Sequence, residues 1–288
     1  MTDRRTFWST ATADEIAQVC AQQGLERVAP EVRRIARPVA DLCVSPKGAR
    51  DRQMLYGQSF TLHAMSNEGW AFGETVADRY SGWIELSHLK NQTDAAPTHR
   101  ITAATSYAKS TEGLKTPGQV TPLSMGSELV VAEDTDGWSR VASSNKEHAR
   151  AWFVPSLHLS PINSTDPDPV TIAERLLGTP YLWGGNSAFG IDCSGLVQIA
   201  CHACGHACPG DSDQQMAQLG ETLDPGTPPQ RGDLLFWKGH VGWVSDPATL
   251  LHANAHSMSV TYEPLQAAIA RIAAQGDLVL RHARLTLR

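Results

Sequence analysis

The chain has 288 residues, which is enough for two or three small domains. Its hydrophobic content of 41 % and charged content of 19 % are ordinary for a folded soluble protein. The net charge of −6 argues against a nucleic-acid-binding surface, which needs a basic face. The sequence contains no run of about 18 apolar residues, so we expect no membrane-spanning helix.

The N-terminal region has no apolar segment of the kind found in secretory signals, so we expect a cytoplasmic protein. Residues 1–36 are interpreted as an N-terminal extension that contains a helix at Ala13–Gln22 and leads into the first strand. The chain has 6 cysteines, and in a cytoplasmic protein we expect all of them to be reduced.

Two stretches of short apolar alternations predict two small all-β barrels. The first barrel is assigned to residues 37–92 and the second to residues 99–162, with a polar linker at residues 91–100 between them. A Gly-Trp strand followed by a second aromatic strand occurs in both stretches, which indicates a weak internal repeat of one barrel.

The last domain is assigned to residues 166–288, after a second polar linker. Val170–Leu177 has the spacing of an amphipathic helix, and the apolar residues after Cys193 predict another helix that begins at or next to that cysteine. Four strand-like runs follow, at Asp233–Trp237, His240–Val244, Thr249–Asn254 and Ser259–Tyr262. Helices followed by an antiparallel sheet indicate an α+β domain.

Cys193 is the predicted nucleophile, with a buried structural cysteine as the alternative. A helix N-terminus carries a partial positive charge, which lowers the pKa of a thiol. His240 is the predicted catalytic base, with a hydrogen-bonded core histidine as the alternative. We expect the helix dipole and a protonated imidazole to hold the thiolate at neutral pH. A cysteine followed later by its base is the order of papain-like cysteine hydrolases.

Five segments in a fixed order carry a family resemblance: Thr179–Gly185, Asp192–Leu196, Arg231–Trp237, Gly239–Gly242 and Leu251–Ala253. Together they resemble the NlpC family of cell-wall cysteine peptidases over about the last 120 residues. The resemblance implies hydrolysis of the bond between γ-D-glutamate and a diamino acid in murein stem peptides. It also supports His240 as the base and implies that His252 orients it, with Asn254 as the rival.

The resemblance implies further substrate contacts around the nucleophile. Tyr181 is expected near the oxyanion and Trp183 along the substrate groove, with core aromatic residues as the alternative for both. Asp192 and Ser194 are expected to contact the substrate, although both residue types also favour helix caps.

The first barrel resembles the bacterial SH3-like domains that accompany NlpC-type catalytic domains. In the similar subfamily, a Glu and a Tyr from that barrel close the groove and restrict it to short peptides. Gln58 and Tyr80 match these positions, and Gln58 lacks the negative charge of the family's Glu. Asp211 is expected to pair with the free amine of the substrate's N-terminal L-Ala, with Asp213 as the alternative.

A cluster of Cys201, Cys204 and Cys208 with neighbouring histidines competes as a zinc-site signal. Its ligands lie within eight residues and no second Cys-x-x-Cys pair is present, so we expect no metal and no cofactor. Reduced thiols at the end of a helix are the preferred interpretation.

The prediction is therefore a multidomain protein with two small all-β SH3-like barrels followed by an α+β papain-like catalytic domain. The predicted function is a cysteine endopeptidase acting on short murein peptides, L-Ala-γ-D-Glu-diamino acid, with no nucleic-acid or membrane partner and as a monomer. Two alternatives stay open: a non-catalytic murein-peptide binding protein, and an acyltransferase on the same core.

Overall fold

The computed structural model describes residues 3–91, 95–142 and 151–285, and the chain divides into two compact units, Met1–Ser164 and Thr165–Arg288. Part of the predicted linker at residues 91–100 and the C-terminal end of the predicted domain 166–288 lie outside the described residues. Among the described helices, none is both long enough and apolar enough to cross a bilayer.

The first unit begins with two short helices, followed by a seven-stranded antiparallel sheet. The helices are α1 (Phe7–Thr10) and α2 (Ala13–Gln22), and the second confirms the predicted bounds. The strands are β1 (Glu26–Ile35), β2 (Val39–Cys43), β3 (Arg50–Leu55), β4 (Ser59–Met65), β5 (Trp70–Thr75), β6 (Ser81–Glu85) and β7 (Leu89–Asn91). Their spatial order is β3-β2-β6-β5-β4-β1-β7.

The N-terminal residues belong to this fold. β1 pairs with β4 and β7, and its mostly exposed side chains, with an irregularity between Arg27 and Glu31, hide the strand pattern in the sequence. Phe7 forms a second hydrophobic cluster with Trp70, Phe72 and Trp83. Because both faces of β5 are covered, that strand does not alternate between buried and exposed residues. Residues 1–36, expected to be an extension, therefore contribute a strand and part of a core.

Two further sheets complete the first unit. The strands are β8 (His99–Ile101), β9 (Thr105–Lys109), β10 (Val120–Ser124), β11 (Glu128–Leu129), β12 (Val131–Thr135), β13 (Trp138–Val141), β14 (Trp152–Pro155) and β15 (Leu159–Pro161). They form a five-stranded sheet, β10-β9-β14-β13-β12, and a three-stranded sheet, β11-β8-β15. Both sheets contribute to one core, which includes Ile101, Leu123, Leu129 and Val154.

The second unit has four helices, a two-stranded sheet and a six-stranded sheet among its described residues. The helices are α3 (Pro169–Glu174), α4 (Cys193–Ala203), α5 (Ser212–Gln218) and α6 (Leu265–Ala273). The strands are β16 (Asn186–Ser187), β17 (Gly190–Ile191), β18 (Glu221–Thr222), β19 (Asp233–Trp237), β20 (His240–Asp246), β21 (Thr249–Asn254), β22 (Ser259–Pro264) and β23 (Arg281–Arg284). The larger sheet has the order β18-β23-β19-β20-β21-β22.

Helix α6 packs on one face of the larger sheet. A core cluster joins Leu265, Ala268 and Ile272 of the helix to buried residues of the central strands: Leu235, Trp237, Val244 and Leu250. Side chains alternate along a strand, so His240 points to the same face as Val244, and His252 to the same face as Leu250. Helix α6 therefore covers the face of the sheet to which both histidines point.

A buried carboxylate ties the C-terminal strand to the middle of the sheet. Asp233 is fully buried and accepts hydrogen bonds from Arg284 at 2.7 and 2.8 Å and from His282 at 2.8 Å. It also accepts the Gln230 N–H at 2.9 Å. Burial acts to raise the pKa of Asp233, but these hydrogen bonds outweigh it and hold the pKa below its ordinary value.

Asp233→Asn should lower the free energy of unfolding by about 1–3 kcal/mol, because the amide leaves buried donors without an acceptor. Urea denaturation at pH 7 measures the change, and the exposed turn residue Asp224, as Asp224→Asn, is the matched control. Because the folded pKa of Asp233 is depressed, the difference should persist above about pH 4 and shrink at lower pH as the carboxylate becomes protonated. Equal stability of the two variants would contradict the anchoring role.

Candidate active site

Cys193 is the first residue of helix α4, which confirms the predicted start of this helix. Asp192 is its N-cap, and its Oδ1 accepts hydrogen bonds from the Gly195 N–H at 2.7 Å and the Ser194 hydroxyl at 3.0 Å. Its Oδ2 accepts a bond from the Gly184 N–H at 2.9 Å. The buried carboxylate therefore fixes both the helix start and the preceding loop around the thiol.

The thiol of Cys193 lies against the backbone on both sides of His240. Its sulfur is 4.0 Å from the carbonyl oxygen of Gly239, and the N–H of Val241 hydrogen-bonds the sulfur. The structure therefore brings the nucleophile close to the backbone of the base, although the sequence separates the two residues by 47 positions.

A chain of side-chain hydrogen bonds extends from His240 away from the thiol. His240 Nε2 is 2.9 Å from His252 Nδ1, and His252 Nε2 is 3.1 Å from Glu263 Oε2. Arg271 holds that carboxylate with two bonds, from Nε to Oε1 at 2.9 Å and from Nη2 to Oε2 at 2.7 Å. Since Nε2 of His240 is engaged by His252, only Nδ1 is left for the thiol.

Two glycines on this hairpin set the positions of the histidines. Gly239 has φ of +70°, and the two-residue turn that contains it places His240 directly opposite Trp237. A Cβ at Gly242 would stand 3.1 Å from the Cβ of His252. Gly242 therefore leaves room for the His252 side chain.

The electrostatics of the pair differ from the sequence expectation. Burial raises the pKa of Cys193 to about 12, and the neighbouring Asp192 charge adds to this effect. Burial lowers the pKa of His240 to about 3 and that of His252 to about 4. These shifts favour a neutral thiol beside a neutral imidazole over the expected thiolate–imidazolium pair, because desolvation disfavours both charged forms.

Tyr181 and Trp183 lie on the segment that leads to the nucleophile. Tyr181 forms an isolated bridge to Ile191, and burial followed by the charges of Cys193 and Asp192 raises its pKa. The Tyr181 phenol therefore lies within electrostatic range of the Cys193 sulfur. Trp183 is 70 % exposed, which excludes it from a core. The substrate roles predicted for both residues, and for Asp192 and Ser194, stay predictions.

Asp211 and Asp213 differ in position and exposure. Asp211 is the N-cap of α5 and half-buried, whereas Asp213 is exposed in the first turn. One turn later, the side-chain amide of Gln215 donates to the carbonyl oxygen of Ser194 at 2.9 Å. Helix α5 is therefore fastened to the residue after the nucleophile, and the choice of Asp211 over Asp213 as the amine-binding acid stays a prediction.

Gln58 and Tyr80 lie in the seven-stranded sheet region of the first unit. The Gln58 Oε1 accepts the Leu55 N–H at 2.9 Å. Tyr80 is 2 % exposed, belongs to the core cluster of that unit, and has the Arg52 guanidinium 5.8 Å from its ring centre. Both residues therefore have local structural partners, and their predicted contact with substrate stays a prediction.

The cysteines that gave the zinc-site alternative lie near the C-terminal end of α4 and just beyond it. Cys201 is fully buried in α4, and the Cys208 sulfur is 3.5 Å from the Gln215 amide nitrogen. Within the described part of the chain, no group of three or more His, Cys, Asp or Glu side chains is arranged to hold a metal ion.

The rival orienting residue has another role. Asn254 Oδ1 accepts the Ser257 N–H at 2.8 Å and the Ser257 hydroxyl at 3.1 Å, so it stabilises the β21–β22 turn. His252 is therefore the side chain that contacts His240. Glu263 and Arg271 were not singled out from the sequence, because nothing distinguishes one glutamate among 30 acidic residues without the strand register.

Two family models match the chain. Residues 178–282 match the NlpC/P60 family, and residues 42–89 match the bacterial dipeptidyl-peptidase Sh3 domain. A γ-D-glutamyl-L-lysine dipeptidyl-peptidase of Bacillus subtilis is 38 % identical over 105 residues, covering 33 % of this chain and 34 % of that protein. The enzyme of the same name from Bacillus cereus is 33 % identical over 106 residues, covering 34 % and 31 %. The match thus spans about a third of these relatives' length.

Solved structures show the same fold over most of the chain. An NlpC/P60 family protein from Bacillus cereus has a TM-score of 0.75 at 20 % identity and covers 90 % of this chain and 100 % of that one. An NlpC/P60 endopeptidase from Photobacterium damselae has a TM-score of 0.59 at 14 % identity, covering 96 % and 79 %. At these identities the likeness establishes the fold.

Alkylation of Cys193 by iodoacetamide should accelerate about tenfold per pH unit from pH 6 to pH 9, because the raised pKa leaves little thiolate at neutrality. Intact-protein mass spectrometry over time measures the rate, and Cys193→Ser accounts for labelling of the other cysteines. A rate that is high and constant between pH 6 and pH 8 would instead reveal a preformed ion pair.

Proposed function

Because the chain carries an NlpC/P60-family cysteine peptidase domain and a bacterial SH3 domain, we propose that it hydrolyses short murein stem peptides. The proposed bond is the one between γ-D-glutamate and an L-diamino acid, in peptides with a free N-terminal L-Ala. The proposed physiological role is the recycling of cell-wall peptides, and the cytoplasmic location expected from the sequence stays a prediction.

The observation that carries this proposal is the arrangement of Cys193, His240 and His252. The thiol lies beside the backbone of His240, whose far nitrogen is hydrogen-bonded to His252. A nucleophile, a base beside it and a residue that orients the base are the three parts of a covalent hydrolase, and in this site the backbone of the base lies against the thiol. A binding protein would have no need for this arrangement.

The proposed acylation begins from the neutral pair. As the sulfur of Cys193 attacks the scissile carbonyl carbon, its proton moves to Nδ1 of His240. The tetrahedral oxyanion lies near the N-terminus of α4, where the Cys193 N–H and the Tyr181 hydroxyl are the candidate donors. When the C–N bond breaks, the Nδ1 proton passes to the leaving amine, and the acyl group stays on sulfur as a thioester.

Deacylation follows the same route in reverse. Water attacks the thioester and gives its proton to His240 Nδ1, and the C–S bond breaks. The departing sulfur takes the proton back, which restores the neutral thiol and imidazole. The products are the acyl fragment, L-Ala-γ-D-Glu, and the amine released in the first half.

The substrate class is supported by the named relatives and by Asp211. The two Bacillus proteins are named γ-D-glutamyl-L-lysine dipeptidyl-peptidases, and their names specify the γ-D-glutamyl bond. A dipeptidyl-peptidase needs a group that recognises a free amine. The half-buried Asp211, on the helix fastened to Ser194, is the acid we assign to it.

The remaining parts of the proposal concern the domain boundaries and the role of the first unit. We assign residues 37–92 and 99–162 to two SH3-like barrels and residues 166–288 to the catalytic domain. The first assignment is supported by the family match at 42–89, and the second by one hydrophobic core shared by two sheets. Gln58 and Tyr80 are proposed to limit the length of the bound peptide.

Asp211→Asn should lower kcat/KM for free L-Ala-γ-D-Glu-diamino acid by roughly ten- to a hundredfold, since a charge-assisted hydrogen bond contributes about 1.5–3 kcal/mol. The variant should change little in the slower cleavage of the N-acetylated peptide, which has no charged amine. Mass spectrometry of the products formed from the free and the N-acetylated peptide over time measures these rates. Peptides that differ in the diamino acid are compared in the same way.

The exposed neighbour Asp213, as Asp213→Asn, is the matched control and should lose less than threefold. Cys193→Ser should show no turnover of either peptide. If the wild-type protein cleaves acetylated and free peptides equally well, the amine pocket is wrong. If it cleaves neither peptide, the proposed substrate is wrong.

A further inference from the structure

Resting on the proposed function, we infer that Glu263, held by Arg271, is a positioning residue that sets the proton arrangement of the histidine pair. The observation behind this inference is a continuous path of hydrogen bonds from a carboxylate to the base. The side chain of Glu263 bonds His252 and Arg271, so we expect its action on the base to pass through His252.

At the carboxylate end of the path, the hydrogen bond between Glu263 and His252 has only one possible direction. Hydrogen bonds from Arg271 and its positive charge keep the pKa of Glu263 below its ordinary value, so both oxygens are acceptors. His252 Nε2, at 3.1 Å from Oε2, must therefore carry a proton and donate it. A neutral imidazole has one N–H, so Nδ1 of His252 is left as an acceptor.

The same reasoning extends to the base. Since His252 Nδ1 is an acceptor, His240 Nε2, at 2.9 Å from it, must be the donor. Nδ1 of His240 then carries the lone pair, and Nδ1 is the nitrogen available to Cys193. The path from Glu263 therefore selects the one tautomer of His240 that can accept the thiol proton.

The fold provides this path through strand register and helix packing. Glu263 on β22 lies opposite Leu250 on β21, and His252 is the next residue on the same face. Arg271 is on α6, whose Leu265, Ala268 and Ile272 pack on that face. His252 is fully buried, so no solvent reaches its side chain to replace the carboxylate.

Other charges near the pair do not supply an alternative acceptor. Arg271 and His256 both act to lower the pKa of His252, whereas Glu263 acts to raise it. For His240, the charges of His252 and Arg271 act to lower the pKa, and the charge of Glu263 acts to raise it. Glu263 is therefore the negative charge that supports an imidazolium on His240 during acylation.

The test combines tautomer assignment with kinetics on the full chain. In ¹⁵N-histidine-labelled wild-type protein at pH 7, long-range ¹H–¹⁵N correlation spectra should show both His240 and His252 protonated on Nε2. In Glu263→Ala, the resonances should indicate mixed tautomers for both rings. The expected loss in kcat is about ten- to a hundredfold with KM changed less than threefold, as for other outer hydrogen-bond partners of functional histidines.

Two variants separate positioning from stability. Glu263→Gln keeps an amide oxygen that can accept from His252, so its kcat should lie between those of the wild type and Glu263→Ala. Glu174→Ala breaks a comparable pair, because Glu174 bonds Arg231 at 2.9 Å through each of its oxygens. It should lower thermal stability to a similar extent and leave kcat and both histidine spectra unchanged.

An Nδ1–H tautomer for His252 in the wild-type protein would overturn the inference, as would a wild-type kcat in Glu263→Ala. The spectra do not depend on turnover. If the predicted tautomers appear in a protein that cleaves no murein peptide, the positioning role stands and the proposed substrate fails. If Glu263→Ala does not fold, the kcat of Glu263→Gln and the histidine tautomers of the wild-type protein test the positioning role instead.

Discussion

The hydrogen bond between His240 and His252, formed where water has little access, is the interaction on which the site depends. Burial makes a charged imidazole costly at both positions, so the two rings stay neutral and share one proton between their facing nitrogens. This bond alone allows either ring to be the donor. In the inference drawn above, the carboxylate of Glu263 at the far side of His252 decides the direction and leaves the lone pair of His240 on Nδ1.

The rest of the second unit can be understood as support for that bond. The N-cap of α4 holds Cys193 against the turn that carries His240, and α6 covers the face on which both rings lie. In the proposed mechanism, the raised pKa of Cys193 and the lowered pKa of His240 mean that the thiolate forms as the sulfur attacks.

Local signals in the sequence were sufficient for the parts of the site that depend on neighbouring residues. The start of α4 could be predicted because Asp192 is a good N-cap and the residues after Cys193 are apolar at helical spacing. Glu263 could not, because its contact with His252 arises from the pairing of β21 with β22 and the docking of α6. The pKa direction of Cys193 was also missed, since burial is a property of tertiary packing. Strand β1 was missed for a different reason: most of its side chains are exposed, so its sequence lacks alternation.

The central claim is that peptide cleavage proceeds through a thioester on Cys193, and hydroxylamine trapping tests it most directly. Hydroxylamine competes with water for a thioester, so the tripeptide should yield the hydroxamate of L-Ala-γ-D-Glu beside the free acid. The ratio of hydroxamate to acid, measured by mass spectrometry, should rise with hydroxylamine concentration. Cleavage that gives only the free acid at every hydroxylamine concentration would contradict the account, because it would mean that water attacks the peptide bond directly.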